Sequence, residues 1–192
     1  RGEKILESKD ILIPGTHNIE NYMAAIALVE GLATDDAIRQ VARAFGGVEH
    51  RIELVRVKDG VRFYNDSIAS SPSRTIAGLR SFPEQVILIA GGYDKHIPYD
   101  VLGPEICKHV KKLFLGGATG PKIRAAVEAA PEYVPGKPEI VDCKDFTEAT
   151  LAAAKAAESG DVVLMSPASA AFDQFKNFMV RGAFFKKLIK EL

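Results

Sequence analysis

The stretch Val61-Arg62-Phe63-Tyr64-Asn65-Asp66-Ser67-Ile68-Ala69-Ser70-Ser71-Pro72 changes character halfway along. Its first part is rich in β-branched and aromatic side chains, which is typical of a buried strand. The part from Asn65 to Ser71 carries hydroxyl and carboxylate groups. Pro72 suits the first position of a helix, and Ser71 suits its N-cap. The stretch predicts a strand that leads into a helix through a polar loop, which is either a ligand site or only turn chemistry and a cap.

Strand and helix patterns continue to alternate along the chain. A hairpin of residues 51–57 and 61–64, joined by the turn Asp59-Gly60, precedes the helix at 72–82. Further strands are predicted at 86–90, 113–115, 139–141 and 162–165, and further helices at 99–109, 121–130, 146–158 and in the tail that ends at Leu192. The alternation predicts an α/β fold, a doubly wound, mostly parallel sheet of six strands with one antiparallel hairpin at its edge.

The beginning of the chain has a different pattern and predicts a small, mainly helical unit. Residues 1–14 are expected to form a short β hairpin, and two helices follow it. The second helix is predicted from Asp35 to Phe45, with Thr34 as its N-cap. Gly46-Gly47 is the predicted boundary between this unit and the sheet. The predicted domains are residues 1–47 and 48–192.

Composition argues against several classes of partner. Among the 192 residues, 25 Lys and Arg balance 25 Asp and Glu, which is not the basic excess typical of nucleic-acid or anionic-membrane binding. No apolar run reaches the roughly 18 residues of a membrane helix. The two cysteines, Cys107 and Cys143, are typical of reduced thiols and predict a cytoplasmic location. Because Arg1 opens strand-like sequence, we expect a fragment of a longer protein. We also expect the protein to be monomeric.

Ligands bind at the carboxyl ends of the strands in parallel α/β sheets. The predicted segments at this edge are Asn65–Ser71, Gly91–Lys95, Gly116–Gly120 and Ser166–Ala171. Lys95 follows two glycines and is placed to meet a carboxylate, with a solvated surface lysine as the alternative. The segment Gly116–Lys122 lacks the spacing of a phosphate-binding loop and predicts only a tight turn.

Two other segments carry polar groups in helix-forming sequence. Ser166–Phe178 combines aromatic and polar side chains, and helix amides near Phe172 are predicted to hold a carboxylate. Asn18 is expected to cap the first helix, and Asn21 lies one turn later, where it suits a hydrogen bond to a base edge. No metal site is predicted, because three of the histidines share no metal-ligand spacing: these are His50, His96 and His109.

Five motifs resemble, in order and spacing, those of the Mur ligases of peptidoglycan synthesis. They are Gly15-Thr16-His17-Asn18-Ile19-Glu20-Asn21, His50-Arg51-Ile52-Glu53, Asn65-Asp66-Ser67, Gly91-Gly92-Tyr93-Asp94-Lys95, and Ser166–Phe178 with Arg181-Gly182. Together they span nearly the whole chain. The last motif is the most specific, because it is typical of the branch of the family that adds D-glutamate.

The resemblance implies an ATP-dependent ligase that forms an amide bond. In the family, ATP with Mg²⁺ phosphorylates a carboxylate, here that of UDP-N-acetylmuramoyl-L-alanine, and the amine of D-glutamate attacks the acyl phosphate. The residues implied to bind ATP are Asn18, Asn21, Arg51 and Asp66. The residues implied to bind D-glutamate are Ser70, Lys95, Ala171, Phe172 and Phe178. The resemblance implies no complete catalytic set within this chain.

The resemblance also implies a dinucleotide-binding-like fold for residues 48–192 and the end of a central ATP-binding domain for 1–47. Three positions depart from the family pattern, with Ile68 in place of lysine, Ala171 in place of serine and Ser70 in place of threonine. The family's phosphate loop, uridine-nucleotide domain and carbamylated lysine are not in this sequence, so the chain alone is expected to be inactive. The alternative is a stand-alone module that binds an amino acid or a nucleotide without catalysis.

Overall fold

The computed structural model describes residues 4–13 and 15–192, and the chain divides into two compact units, Arg1–Val48 and Glu49–Leu192. The first unit contains helices α1 (Thr16–Leu28) and α2 (Asp35–Ala44). The hydroxyl of Thr34 accepts a hydrogen bond from Ala37 N at 3.3 Å, so this residue caps α2 as predicted.

No strand forms among residues 4–13, so the predicted N-terminal hairpin is wrong for the described part of that segment. Ser8–Asp10 form a single 3₁₀ turn instead. Glu7 N donates to the Asp10 carboxylate at 3.1 Å, and Asp10 N donates to Glu7 O at 2.9 Å. Side chains that bond the nearby backbone in this way compete with strand pairing. The rest of the predicted hairpin, residues 1–3 and Pro14, lies outside the described residues.

The second unit is built on six strands. They are β1 (Glu53–Lys58), β2 (Val61–Asn65), β3 (Val86–Ala90), β4 (Val110–Leu115), β5 (Glu139–Asp142) and β6 (Val162–Met165). The helices are α3 (Pro72–Leu79), α4 (Leu102–His109), α5 (Gly120–Glu128), α6 (Phe146–Ala156) and α7 (Phe178–Glu191). Each predicted strand and helix of this unit is present, with ends that differ by a few residues. The largest difference is at the tail, where the helix starts only at Phe178.

The strands lie in the order β1-β2-β6-β3-β4-β5. Only β1 is antiparallel to its neighbour, and the other five strands run parallel. Asp59 and Gly60 join the edge hairpin with φ values of 51° and 79°, both positive as in the predicted two-residue turn. The predicted six-stranded, mostly parallel sheet with an antiparallel edge hairpin is therefore confirmed.

Helices cover both faces of the sheet. Leu88 of β3 packs on one face with residues of α3, α4 and α5, such as Leu79 and Ile106. Ile87 and Ile89 of the same strand point to the other face, where they pack with α6 and α7. Every residue of β3 and β6 is buried, which explains their continuous apolar sequences. The doubly wound arrangement follows from this two-sided cover. No helix in the described part of the chain is long and apolar enough to cross a bilayer.

Candidate functional site

The segments that follow β2, β6 and β3 leave the sheet side by side, because β6 lies between the other two strands. The segment after β6 leads to α7 on one face, whereas those after β2 and β3 lead to α3 and α4 on the opposite face. Such a divergence is the topological switch point at which open α/β sheets bind ligands. The candidate site is therefore built from these three segments.

Asp66, directly after β2, is buried, with only 4% of its surface exposed. Its carboxylate accepts hydrogen bonds from Ile52 N at 3.3 Å and from the Ser166 hydroxyl at 2.7 Å. The Thr75 hydroxyl lies 3.0 Å from that of Ser166 and extends the network into α3. Burial raises the pKa of Asp66 to about 7, against the opposing effect of these hydrogen bonds. The side chain implied to bind ATP thus already has protein partners.

Arg51 lies in a turn with an unusual backbone. Its neighbours His50 and Ile52 have φ values of 66° and 46°, in the left-handed region that a β-branched residue rarely adopts. His50 N donates to the Glu53 carboxylate at 3.0 Å, and the Asp66 carboxylate holds Ile52 N. These bonds fix the strained turn, while the Arg51 side chain itself is exposed. The Arg51 side chain is therefore exposed on a turn that these hydrogen bonds hold, where its guanidinium can meet an anion.

Arg181 of α7 is the largest polar side chain in the interior, with 1% of its surface exposed. Its guanidinium donates to the hydroxyl and carbonyl oxygens of Ser67 at 3.0 and 2.9 Å. It also donates to the carbonyl oxygens of Ser169 and Ala170 at 3.0 and 3.1 Å. Burial lowers the pKa of Arg181 to about 10, and the charge of Asp173 partly opposes this change. Arg181 thus joins the segment after β2 to the segment after β6.

Lys95, in the segment after β3, is exposed. Asp94 beside it pairs with Lys122 instead, and that hydrogen bond lowers the pKa of the Asp94 carboxyl. Nearby in the sequence, Tyr93 donates its N–H to Ala170 O at 2.9 Å. Its ring packs edge-on against Phe172, with the centroids 5.8 Å apart. Both rings are exposed, so an aromatic surface bridges the segments after β3 and β6.

The predicted helix N-terminus at Phe172 is wrong. Residues 171–177 form turns, in which Phe175 N donates to Ala171 O at 2.8 Å. Helix α7 starts only at Phe178, where the Asn177 side chain accepts a hydrogen bond from Val180 N at 2.9 Å. The Asn177 cap decides where the helix begins, because it satisfies an N–H group of the first turn. Ala171 is buried and Phe172 is 60% exposed, so turn amides rather than helix amides stand next to the aromatic pair.

The two other residues implied for D-glutamate, Ser70 and Phe178, belong to the segment after β2 and to the start of α7. Ser70 is partly buried in the segment after β2. Phe178 packs its ring edge-on against His50, with the centroids 6.0 Å apart, and its carbonyl oxygen accepts the Ser67 hydroxyl at 2.7 Å. Ser71 takes the predicted N-cap position of α3, but its side chain makes no capping hydrogen bond. The segment after β2 is thus bound to the start of α7.

Asn18 and Asn21 lie in the N-terminal unit, on consecutive turns of α1. The amide nitrogen of Asn21 donates to the Asn18 side-chain oxygen at 3.3 Å. Asn18 is buried and sits inside the helix, so the prediction that it caps α1 is wrong. Gly15 takes the N-cap position with a φ of 101°, which favours glycine. Asn21 is exposed on the helix surface.

One cluster in the described residues has the composition of a metal site. Glu49, His50 and Glu53 bring ligand atoms within 4.8 Å of one another. However, the ammonium group of Lys186 donates to Glu49 at 2.8 Å and to Glu53 at 2.6 Å. The Asn65 amide also donates to Glu53 at 3.0 Å. A protein cation therefore already neutralises these carboxylates, and the cluster does not fit Mg²⁺, which needs several free oxygen ligands.

The segment Gly116–Gly120 forms the predicted tight turn. Gly117 has a φ of 75°, and Pro121 lies in the first turn of α5. The Thr119 hydroxyl lies 2.7 Å from the Ser169 hydroxyl, and Tyr99 bonds the same hydroxyl at 2.8 Å. The Thr119 hydroxyl therefore links the segment after β4 to the segment after β6.

Sequence reasoning assigned no role to Arg181 or Tyr93. Both stand inside motifs quoted above, but an arginine in a helix is most often a surface residue. The only local signal for Arg181 is that it follows Asn177 by four residues, which places it one turn into a capped helix. Its burial depends in part on Ser67, which lies 114 residues away in the sequence.

Comparison with known proteins decides the family. The model of the Mur ligase family described as "Mur ligase, glutamate ligase domain" matches residues 50–169. This match covers more than half of the chain and includes the segments after β2 and β3. The chain belongs to the Mur ligase family. The resemblance that the motifs indicate is thereby confirmed.

Two similar relatives carry the same name, UDP-N-acetylmuramoylalanine–D-glutamate ligase. The one from Acetivibrio thermocellus is 55% identical over 98% of this chain and 41% of its own length. The one from Ruminiclostridium cellulolyticum is 50% identical, again over 98% of this chain and 41% of its own. The chain thus spans about two fifths of the length of the curated relatives that it matches.

A solved structure supports the fold of this Mur ligase chain. The UDP-N-acetylmuramate–alanine ligase of Thermotoga maritima superposes with a TM-score of 0.67 at 17% sequence identity. The match covers 94% of this chain and 39% of the other. At this low identity, the comparison establishes a shared α/β fold and says nothing about the substrate.

Proposed function

We propose that this chain is the C-terminal portion of an ATP-dependent ligase that adds D-glutamate to UDP-N-acetylmuramoyl-L-alanine. The observation that carries the proposal is the name shared by relatives 50–55% identical over nearly the whole chain. Both ATP and nucleotide-linked substrates are found inside cells, so a cytoplasmic location is part of the proposal. The alternative of a stand-alone binding module has no support in the comparisons.

In this proposal, the segments after β3 and β6 bind D-glutamate. Lys95 offers an exposed ammonium group for one carboxylate. The turn amides next to Ala171 serve the other carboxylate, and the Ser70 hydroxyl adds a hydrogen bond. The exposed rings of Tyr93 and Phe172 exclude water from one side of these contacts, which strengthens them. Together these groups hold the amino acid and leave its amine free to attack.

On the nucleotide side, Arg51 fits an anionic ligand best, because its side chain is exposed and its backbone is rigid. Asp66 contributes indirectly, because its carboxylate accepts a hydrogen bond from Ile52 N and so holds the turn that carries Arg51. A direct contact of Asp66 with ribose would need its carboxylate to keep an oxygen lone pair for the ligand. We extend the proposal to Asn18 and Asn21 as contacts for the adenine base.

The N-terminal unit completes the proposal as the end of the central ATP-binding domain. Its helix α1 leaves apolar side chains exposed, with Met23 at 66% and Leu28 at 80% of their surface. An exposed apolar face of this kind is typical of a surface that another part of the protein covers. Mg²⁺ remains an expectation from the family, and no residue of this chain is assigned to it.

The first test concerns Lys95 in the whole ligase. Lys95→Met removes the charge but keeps the length of the side chain, so we expect the D-glutamate KM to rise about tenfold. A tenfold change corresponds to the lower end of the binding free energy lost with a hydrogen bond to a charged group. The lower end applies because water screens the charge of an exposed residue. The ATP KM should not change. The matched control is Lys155→Met on the exposed side of α6, which should leave both KM values unchanged.

The counterpart variant is Arg51→Ala, measured in the same assay with each substrate varied in turn. We expect the ATP KM to rise more than kcat falls, because the lost contact lies away from the transferred phosphate. The D-glutamate KM should stay as in the wild type. If Lys95→Met instead raised only the ATP KM, the segment after β3 would belong to the nucleotide side and the proposed division of the site would be wrong.

A further inference from the structure

The buried guanidinium of Arg181 joins two segments that carry ligand groups of the proposed site. No carboxylate in the described part of the chain forms an ion pair with it, so its partners are oxygen atoms of Ser67, Ser169 and Ala170. Burying a cation is costly unless hydrogen bonds replace its water. Four bonds within 3.1 Å do so here, and they hold the guanidinium in one position between the two segments.

These oxygen atoms stand next to residues that the proposal assigns to D-glutamate. Ser70 follows Ser67 after three residues, and Phe172 follows Ala170 after two. The segment after β3, which carries Lys95, is attached to the same place, because Tyr93 N donates to Ala170 O at 2.9 Å. A shift of the Arg181 guanidinium would therefore move the D-glutamate groups on all three segments relative to one another.

The nucleotide side also has supports in which Arg181 takes no part. Asp66 is held by Ile52 N and by the hydroxyl of Ser166, neither of which contacts Arg181 through a hydrogen bond. Asp66 N donates to Met165 O at 2.8 Å, which ties it directly to β6. Loss of the Arg181 contacts should therefore leave Asp66 and its bond to Ile52 N in place.

We infer that Arg181 is a positioning residue that sets the spacing of the D-glutamate-binding segments after β2 and β6. This inference rests on the proposed function, since it concerns the same site. Arginine suits the role because its planar group donates in several fixed directions at once, whereas a lysine ammonium is a single point. Gly92 contributes to the fit, because a Cβ at that position would lie 3.2 Å from the Arg181 Nη1 atom.

The test is Arg181→Lys in the whole ligase, with Arg80→Lys as the matched control. Arg80 is an exposed residue of the same unit that pairs with Glu105 on the surface. We expect Arg181→Lys to raise the D-glutamate KM at least about tenfold, the loss expected for one hydrogen bond to a charged group. The ATP KM should change less than about twofold, and Arg80→Lys should change neither value.

Arg181→Lys leaves carbonyl oxygens unpaired in the interior and could destabilise the fold. Ser67→Ala is therefore added as a milder variant. It removes one Arg181 bond and the bond from Ser67 to Phe178 O but keeps the backbone contacts. The D-glutamate KM should rise by a smaller factor, again with the ATP KM unchanged. Thermal unfolding of each variant measures how much of the protein is folded in the assay.

The outcomes separate this inference from the proposed function. A wild-type ligase without D-glutamate-dependent turnover would contradict the proposed function itself. With an active wild type, unchanged D-glutamate KM values in both Arg181→Lys and Ser67→Ala would overturn the positioning role. An equal rise of both KM values, or a lower kcat alone with a lower melting temperature, would also overturn it and leave Arg181 as a structural residue.

Discussion

Asp66 is a carboxyl group whose surroundings oppose its ionisation. It is buried beneath α3, where Gly78 allows a close approach, since a Cβ there would lie 2.9 Å from the Asp66 carboxylate. The raised pKa of about 7 means that the folded protein retains a proton that the unfolded chain releases near its usual value of 3.8. The contribution of the protonated Asp66 to the free energy of unfolding is therefore fully present below pH 4 and is lost as the pH rises through 7.

We predict that Asp66→Asn stabilises the folded chain at pH 8 by roughly 1–3 kcal/mol and has little effect near pH 4. The asparagine oxygen can still accept from Ile52 N, and its amide can donate to the hydroxyl of Ser166. The measurement is urea unfolding at both pH values. Asp100→Asn, at an exposed position, is the control and should change stability little at either pH. An effect of Asp66→Asn that does not depend on pH would contradict the prediction.

Helices α4 and α5 pack closely on one face of the sheet, and a glycine makes this possible. Gly103, near the start of α4, faces the backbone of α5, where a Cβ would lie 2.1 Å from Ala126 O. Glycine in a helix normally costs up to about 1 kcal/mol relative to alanine. Here the packing reverses this preference, because the contacted atom belongs to a backbone that cannot easily move.

We predict that Gly103→Ala destabilises the chain by roughly 1–3 kcal/mol, although helix propensity alone predicts the opposite sign. The two helices would have to separate to admit the methyl group. Chemical denaturation of the 192-residue chain measures the effect. Gly46→Ala is the control, because a Cβ there meets nothing within 4 Å. A stabilised Gly103→Ala would show that the helices adjust at no cost.

The molecule as a whole joins a well-packed α/β unit to a small helical unit with an exposed apolar surface. A groove of about 510 Å³ in the small unit is lined by apolar residues of α1 and of the preceding segment, among them Ile5, Ile11, Ile19, Met23 and Ile26. The hydroxyl of Tyr22, next to this groove, is buried without a hydrogen-bond partner in the described residues. These features fit the proposal that the small unit belongs to a larger ATP-binding domain.

We predict that the 192-residue chain alone has no ligase activity. It spans only 41% of the Acetivibrio thermocellus ligase and has no phosphate-loop sequence, so it lacks the means to hold the transferred phosphate. Phosphate release with ATP, D-glutamate and UDP-N-acetylmuramoyl-L-alanine should remain at background. The intact A. thermocellus ligase serves as the positive control. Turnover above background by the chain alone would refute the assignment as a portion of a larger enzyme.

Prediction from sequence succeeded where a residue acts on its neighbours. Thr34 caps α2, and Asp59-Gly60 makes the hairpin turn, because a cap or a turn is decided within four residues. Prediction failed where two local signals compete. Asn177 rather than a residue near Ala171 starts α7, and Ser8–Asp10 form a 3₁₀ turn rather than a strand. The roles of the site residues remain predictions, although the structure brings the segments that carry several of them to one edge.

The sequence by itself determined the elements of the α/β unit and their order, because apolar periodicity, glycine turns and helix caps act over short distances. Only the tertiary structure decided that β6 inserts between β2 and β3. That placement brings the Ser166 hydroxyl to Asp66 and the Arg181 guanidinium to Ser67, across 100 and 114 residues. No local pattern encodes such contacts, because they depend on burial of both faces of the assembled sheet and on pairing every polar group enclosed there.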